Sequence, residues 1–457
     1  MKNINYYIQC STRFKKHDLR VLLYASVFLT LSSFIMQYPF HLAEYNTWND
    51  ARSYRMASEW LYSTEHFASF GRPFLFSLVI GLPSLLGFSY SEYFVASMNL
   101  IFWFSTVWLL YRAIKEISDE KTAMKIALFF ASCVSFHCFA FLVHTEVLYA
   151  FVLLSHIYCL YQYLKLGKER WFYGAVWLLG ASVVIRPTLT YFVFILYFIL
   201  VVLVVLKKES LKRFVSISLI FFSTIGLQML NMYRCAHSFR ISYIGDVDWY
   251  MYVSAYAVSV QKYPNETLDF YAKKWVEEMA NRNEGAWLIG SHYTKDDAHR
   301  LPAIEKLIHA DMIKQLKENK KGLAFTFFRS LFINSRSGNQ YALDAKNGFN
   351  LPYFNVIQNL FLKISQCQNI INSSFVLFIL PFFFIKQYRK QRNYLNKAFG
   401  LAVYSWFIAF SIMVFSTIAF TQGDRFHVVT VPLTLFSIAL IFFSNKDNGE
   451  LTFPKLL

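Results

Sequence analysis

The sequence predicts an all-α polytopic membrane protein with about ten transmembrane helices, interfacial helices in its first external loop and a large late external loop. Three observations predict this. Hydrophobic residues make up 56% of the 457, aromatic residues 19% and charged residues only 16%, against about 25% charged in an ordinary soluble domain. The apolar residues fall in blocks near the ~20-residue length that crosses the hydrocarbon. Dense basic clusters separate alternate blocks, as cytoplasmic loops do. The same figures exclude disordered, collagen-like and disulfide-scaffold classes. Much of the net charge of +17 sits in short tracts between apolar segments, a loop pattern rather than a nucleic-acid-binding face.

A basic head (Arg13, Lys15, Lys16, Arg20) precedes the apolar run 21–40. That run is too long for a signal-peptide core and lacks a small-residue cleavage site, so it reads as an uncleaved anchor with a cytoplasmic N-terminus. The next stretch, 73–88, is short and interrupted by Gly81, Pro83 and Gly87. If it crossed, the span at 93–110 would deliver Arg112, Lys115, Lys121 and Lys125 to the outside, against the positive-inside rule. It is therefore expected to lie at the outer interface, or to dip in and return.

Further spans are expected at 126–143, 147–164, 171–185, 189–206, 214–233, 375–385, 398–420 and 428–443. The internal loops then carry Lys165, Lys168 and Arg170; Lys207, Lys208, Lys212 and Arg213; and Lys386, Arg389, Lys390, Arg392 and Lys397. Both termini face the cytoplasm. The chain divides into a membrane module 1–233 with its first external loop at 41–91, an external segment 234–372, and C-terminal helices 373–457. The external segment has no spanning run, shows helical spacing at 269–279 and 303–316, and holds two sequons, at Asn265 and Asn372. Those sequons would matter only in a eukaryotic secretory compartment. Cys235 and Cys367 bracket the segment and would pair in an oxidising compartment. No internal repeat is present, which counts against inverted-repeat transporters.

Polar residues converge on the external face. Asp50, Tyr54, Ala57 and Leu61 follow helical spacing in the first loop, so one face of a short interfacial helix carries Asp50 and Tyr54. Asn49 or Asp50 also suits an N-cap. Arg72-Pro73 opens the interfacial stretch, Arg186-Pro187 ends a span, and Glu146 begins one behind His144. Each has a bland reading, since charge at a helix end is cheap and an arginine at the headgroup level can simply snorkel. Arg425 sits in an Asp424-Arg425-Phe426-His427 hairpin. Five charged side chains from five segments on one face, an acid beside several cations, are what group transfer from an anionic lipid requires.

The ordered set of motifs resembles a known family. An anchor is followed by a loop with Asp, Tyr and Ala at helical spacing, then an Arg-Pro stretch ending in Gly-Phe-Ser. Later come His144-Thr145-Glu146-Val147-Leu148, a Gly-Ala-Ser-Val-Val-Ile-Arg-Pro close, a large late loop, and an Arg-Phe hairpin with Pro432. This is similar to the GT-C membrane glycosyltransferases that use polyprenyl-phosphate sugars, the group of protein O-mannosyltransferases and lipid A aminoarabinose transferases. The resemblance is best over 40–206 and thinner over the last hundred or so residues. The acidic pair often found in the family's first loop is here Asp50 alone, with Glu44 earlier.

The resemblance implies a sugar donor on a dolichyl- or undecaprenyl-type phosphate and a glycan, lipid or protein acceptor, with membrane lipids around the spans and no nucleic acid. Asp50 is implied as general base, with Tyr54, Arg72, Glu146, Arg186 and Arg425 binding substrate. The reaction inverts the anomeric carbon. The resemblance fixes no cofactor, and a divalent Mg or Mn ion at Asp50 or Glu146 stays open. Alternatives are an O-antigen polymerase or ligase, a lipid-linked sugar transporter, or a non-enzymatic scaffold. A transporter would place ionisable groups at the midplane of its spans rather than at one surface. The expected compartment is a bacterial inner membrane, with the endoplasmic reticulum as the alternative.

Overall fold

The computed structural model describes residues 16–40, 42, 46, 49–63, 71–262, 274, 301–338, 355–390, 397–418 and 425–443. Among them every regular element is helical. Their order is α1 (Lys16–Met36), α2 (Asn49–Tyr62), α3 (Phe74–Ile80), α4 (Glu92–Ile117), α5 (Glu120–Ala131), α6 (Val134–Phe141), α7 (Glu146–Leu166), α8 (Glu169–Ile185), α9 (Thr190–Val205) and α10 (Leu211–Ala236). There follow α11 (Ala255–Lys262), α12 (Leu301–Glu318), α13 (Lys320–Arg336), α14 (Val356–Arg389), α15 (Lys397–Phe415), α16 (Arg425–Val428) and α17 (Val431–Phe442).

Seven of these helices are long and apolar enough to cross a membrane, and eight if α5 and α6 form one bent span. The chain is a multi-pass membrane protein. The remaining two expected spans appear as α8 and α17, of 17 and 12 residues, shorter than the ~20 that cover the hydrocarbon. The stretch 73–88 is not a crossing helix. It forms the seven-residue α3 and a 3-10 turn at Leu82–Leu86, with Leu85, Leu86 and Phe88 exposed. α3 packs on α2 and α8, and the Tyr62 hydroxyl donates to the Leu78 carbonyl at 2.6 Å.

α7 and α8 form the most extensive helix pair. Gly167 closes α7 in the left-handed region, φ +66, a conformation open to glycine without a Cβ clash. α4 lies against α1, α5 and α7, and α15 against α17. A 59° bend separates α5 from α6. The backbone groups freed there are satisfied from α14: Gln368 donates to the Ser132 carbonyl at 2.9 Å and accepts from the Val134 amide at 3.1 Å. One side-chain amide thus repairs a break that would be costly in an apolar interior.

α14 is a 34-residue helix containing a π turn at Phe375–Ile379. It begins well before the expected span at 375 and runs unbroken through 372. Asn372 lies buried within it, donating to the His427 carbonyl and to Thr430 Oγ1, so this sequon offers no accessible amide. α12 matches the expected helix at 303–316. Cys235 and Cys367 are free thiols and do not form the expected disulfide. Glu44, Asp424, the Asn265 sequon and all but one residue of 269–279 lie outside the described residues.

Candidate active site

The charged residues singled out in the sequence come together at one end of the helix bundle. Local structure explains how each arrives. Asp50 stands in the first turn of α2 and Glu146 is the first residue of α7. Helix N-termini favour carboxylates, because unpaired amides there carry partial positive charge. Arg186 is the C-cap of α8 with extended backbone, φ −149 and ψ 120. Pro187 enforces that conformation on the residue before it and ends the helix. Arg425 opens α16, just ahead of α17.

Arg425 bridges the two acids. Its Nη1 donates to Asp50 Oδ2 and its Nε to Glu146 Oε1. Arg72 Nη2 donates to the other Asp50 oxygen, Oδ1. Arg186 Nη1 lies 3.2 Å from Glu146 Oε1. Glu146, Arg186 and Arg425 are buried, while the Asp50 side chain keeps 26% of its surface exposed. Asp50 is thus the most exposed member of the cluster, followed by Arg72 at 12%. Asp50 lies within α2, whose first residue is Asn49, and both its carboxylate oxygens accept from guanidinium groups.

Arg72 is fixed on several sides. Its Nε donates to Ser53 Oγ at 2.8 Å, its Nη1 to the Tyr54 hydroxyl at 3.4 Å, and its guanidinium lies 4.5 Å from the Tyr54 ring centroid. Tyr54 in turn meets Phe76 edge-on at 5.0 Å. The Arg186 guanidinium sits 4.3 Å from the centre of the Phe426 ring. These contacts hold the cations in place without neutralising them.

Burial pushes the Asp50 carboxyl up, but Arg72 and Arg425 outweigh it and hold the group well below the usual carboxylate range. Burial, reinforced by Arg425, pushes His144 down to about 4, so this imidazole is neutral near pH 7. Among the described residues, three guanidinium groups then face two carboxylates, leaving one positive charge over. A singly charged anion would complete the cluster.

Among the described residues the donor set does not fit a divalent metal. Both Asp50 oxygens and Glu146 Oε1 already face guanidinium groups, and among the described residues no three His, Cys, Asp or Glu side chains could hold a metal ion. A dication here would stand against three cations.

Some supporting residues were not evident in the sequence. Ser53 holds Arg72 and also donates to the Asp50 carbonyl at 2.8 Å. The turn that presents Glu146 is held by two asparagines. Asn46 accepts from the Val143 amide at 2.7 Å, and Asn99 donates to the Leu142 carbonyl at 2.8 Å. Asn99 carried a signal, since a polar residue inside an apolar span needs a partner. Phe426 was marked only as part of the Arg-Phe hairpin, and Ser53 and Asn46 carried no signal.

No curated protein and no solved structure matches the chain. A family model does, over part of it, and the match includes Arg72, Glu146 and Arg186 while Asp50 and Arg425 fall outside it. Over residues 71–227 the chain is similar to the family described as dolichyl-phosphate-mannose-protein mannosyltransferase, a glycosyltransferase family.

Proposed function

We propose that this protein is a membrane glycosyltransferase that moves a sugar from a polyprenyl-phosphate donor to an acceptor hydroxyl on the extracytoplasmic face. The observation that carries the reading is the cluster itself. Asp50, Arg72, Glu146, Arg186 and Arg425 come from five segments, meet at one end of the spans, and bear one net positive charge. A phosphodiester joining sugar and lipid carries one negative charge, and its apolar tail would occupy the bilayer beside that end.

Asp50 takes the proton as the acceptor oxygen attacks the anomeric carbon. A carboxylate has about four lone-pair sites, so an oxygen already accepting from a guanidinium still has room for the acceptor hydroxyl. The new C–O bond forms as the bond from the anomeric carbon to the phosphate oxygen breaks. The electron pair leaves with the lipid phosphate, and attack opposite the leaving group inverts the anomeric centre. Charge grows on the phosphate as it departs, and Arg72, Arg186 and Arg425 stabilise it there. Glu146 positions Arg425 and Arg186, and Tyr54 positions Arg72. No step passes through a metal.

The test uses purified protein in detergent with radiolabelled mannosyl, glucosyl or aminoarabinosyl phosphoryl-undecaprenol, and a membrane extract as acceptor. Sugar transfer with release of lipid phosphate is expected without a sealed membrane. A transporter needs one. Absence of both products with every donor would overturn the reading.

A further inference from the structure

α13 is built inside out for a helix in water. Its inward face is Gly322, Thr326, Ser330 and Asn334, all buried and four residues apart. Its outward face carries Phe325, Phe328 and Phe332, exposed to 47%, 66% and 55%. A helix on an aqueous surface shows the opposite distribution. The inward face is small because α13 packs close: a Cβ on Gly322 would meet the Ala257 carbonyl oxygen of α11 at 2.5 Å. Small residues of this kind let helices approach in a bilayer.

Two sets of bonds fix the level of α13 against the spans. Ser330 Oγ donates to the Thr417 carbonyl at 2.6 Å, just past the end of the apolar helix α15. Asn369 and Gln366 of α14 donate to the Asn334 and Arg336 carbonyls at 2.7 and 2.8 Å. α14 itself exposes Val356, Leu360 and Ile364, the surface a span turns to lipid. The phenylalanine face therefore lies where α14 and α15 meet the membrane boundary.

The charges point the same way. Lys320 and Lys321 are exposed in the first turn of α13, where the helix dipole disfavours cations and anionic headgroups would offset it. At the other end, the Arg336 guanidinium folds over the Phe332 ring at 4.1 Å, the posture of a cation reaching from an apolar layer to its edge.

We propose that α13 lies in the membrane interface, with Phe325, Phe328 and Phe332 against lipid acyl chains and Lys320 and Lys321 against anionic headgroups. Part of the segment expected to be wholly external is thus seated in the bilayer. The proposal does not depend on the reaction the protein performs.

The test places the photoreactive residue p-benzoylphenylalanine at position 328 of the full chain in nanodiscs. Position 191, 71% exposed on α9, gives a lipid-facing reference, and position 208, in an exposed loop, an aqueous one. Phospholipid adducts at 328 should come within about threefold of those at 191 and exceed those at 208 by about tenfold. Adding phosphatidylglycerol should raise the yield at 328, and Lys320→Gln with Lys321→Gln should remove that rise. A yield at the level of 208, or adducts to protein in place of lipid, would overturn the membrane seat. A yield unaffected by phosphatidylglycerol would overturn the headgroup contact.

Discussion

Asp50 and Glu146 share one guanidinium, that of Arg425, which donates to the first through Nη1 and to the second through Nε. Arg425 is buried, and so is Glu146. Removing one partner of a buried ion pair leaves charge without compensation, typically at a cost of about 3–5 kcal/mol. Arg425→Ala should lower thermal stability measurably and abolish transfer. Arg425→Lys offers a point charge that cannot fork between two carboxylates, and should lose transfer by about tenfold or more while keeping most of the stability. Normal turnover in the lysine variant would show that the fork is not needed.

Arg72 and Arg186 are expected to act on the donor. Arg72→Ala and Arg186→Ala should each raise the donor KM and lower kcat, because each removes a cation that holds the bound phosphate and stabilises the charge that grows on it as it departs. Ser53→Ala, which loses the 2.8 Å bond to Arg72 Nε, should give a weaker version of the Arg72→Ala effect. Donor kinetics unchanged in both arginine variants would place the phosphate site elsewhere.

Sidedness follows from the basic loops. Single cysteines at Lys168 and Lys208 should be labelled from the cytoplasm and one at Glu284 from outside. Labelling of Glu284 from the cytoplasm would reverse the orientation and put the cluster on the inner face.

The depressed Asp50 carboxyl has a consequence for stability. Arg72 and Arg425 hold its folded pKa well below the usual carboxylate range, so its contribution is complete above the unfolded pKa and is lost only as pH falls through the folded one. The Tm difference between the wild type and Asp50→Asn should therefore be flat from about pH 5 to 8 and shrink below about pH 4. A difference that changes between pH 6 and 8 would mean that Asp50 is not held anionic by Arg72 and Arg425.

Much of this arrangement was legible in the sequence, for a physical reason. Hydrocarbon thickness sets the length of α1, α4 and α7, and the positive-inside rule gives the direction proposed for them. Charge at span ends then marks Glu146, Arg186 and Arg425, because a membrane tolerates such residues only where they are used or paired. The interfacial reading of 73–88 came from charge balance, and α3 is indeed too short to cross. Length misled at α14, where a polar face hid a continuous helix: Gln358, Ser365, Asn369 and Asn372 face inward, so hydropathy alone saw only the last third. The Ser53 and Asn46 contacts were not legible because a single polar residue in a loop has no period and no cost until its partner is known.

The mechanism rests on Asp50. Asp50→Asn preserves shape but cannot take a proton, and loss of a general base costs on the order of 10²-fold or more. An N-cap would tolerate the change, since Asn caps about as well as Asp. In this structure the carboxylate also competes with any phosphate for Arg72 and Arg425. Its removal should thus leave donor lipid bound at least as tightly as in the wild type, while transfer falls by about 10²-fold or more. Donor retention serves as the check that the variant is folded. Glu44→Gln is the companion variant, Glu44 being the other acid between the anchor and Asp50, and it should transfer sugar normally. An active Asp50→Asn beside a dead Glu44→Gln would move the base to Glu44. Two active variants would make the first loop structural and remove the chemistry from this site.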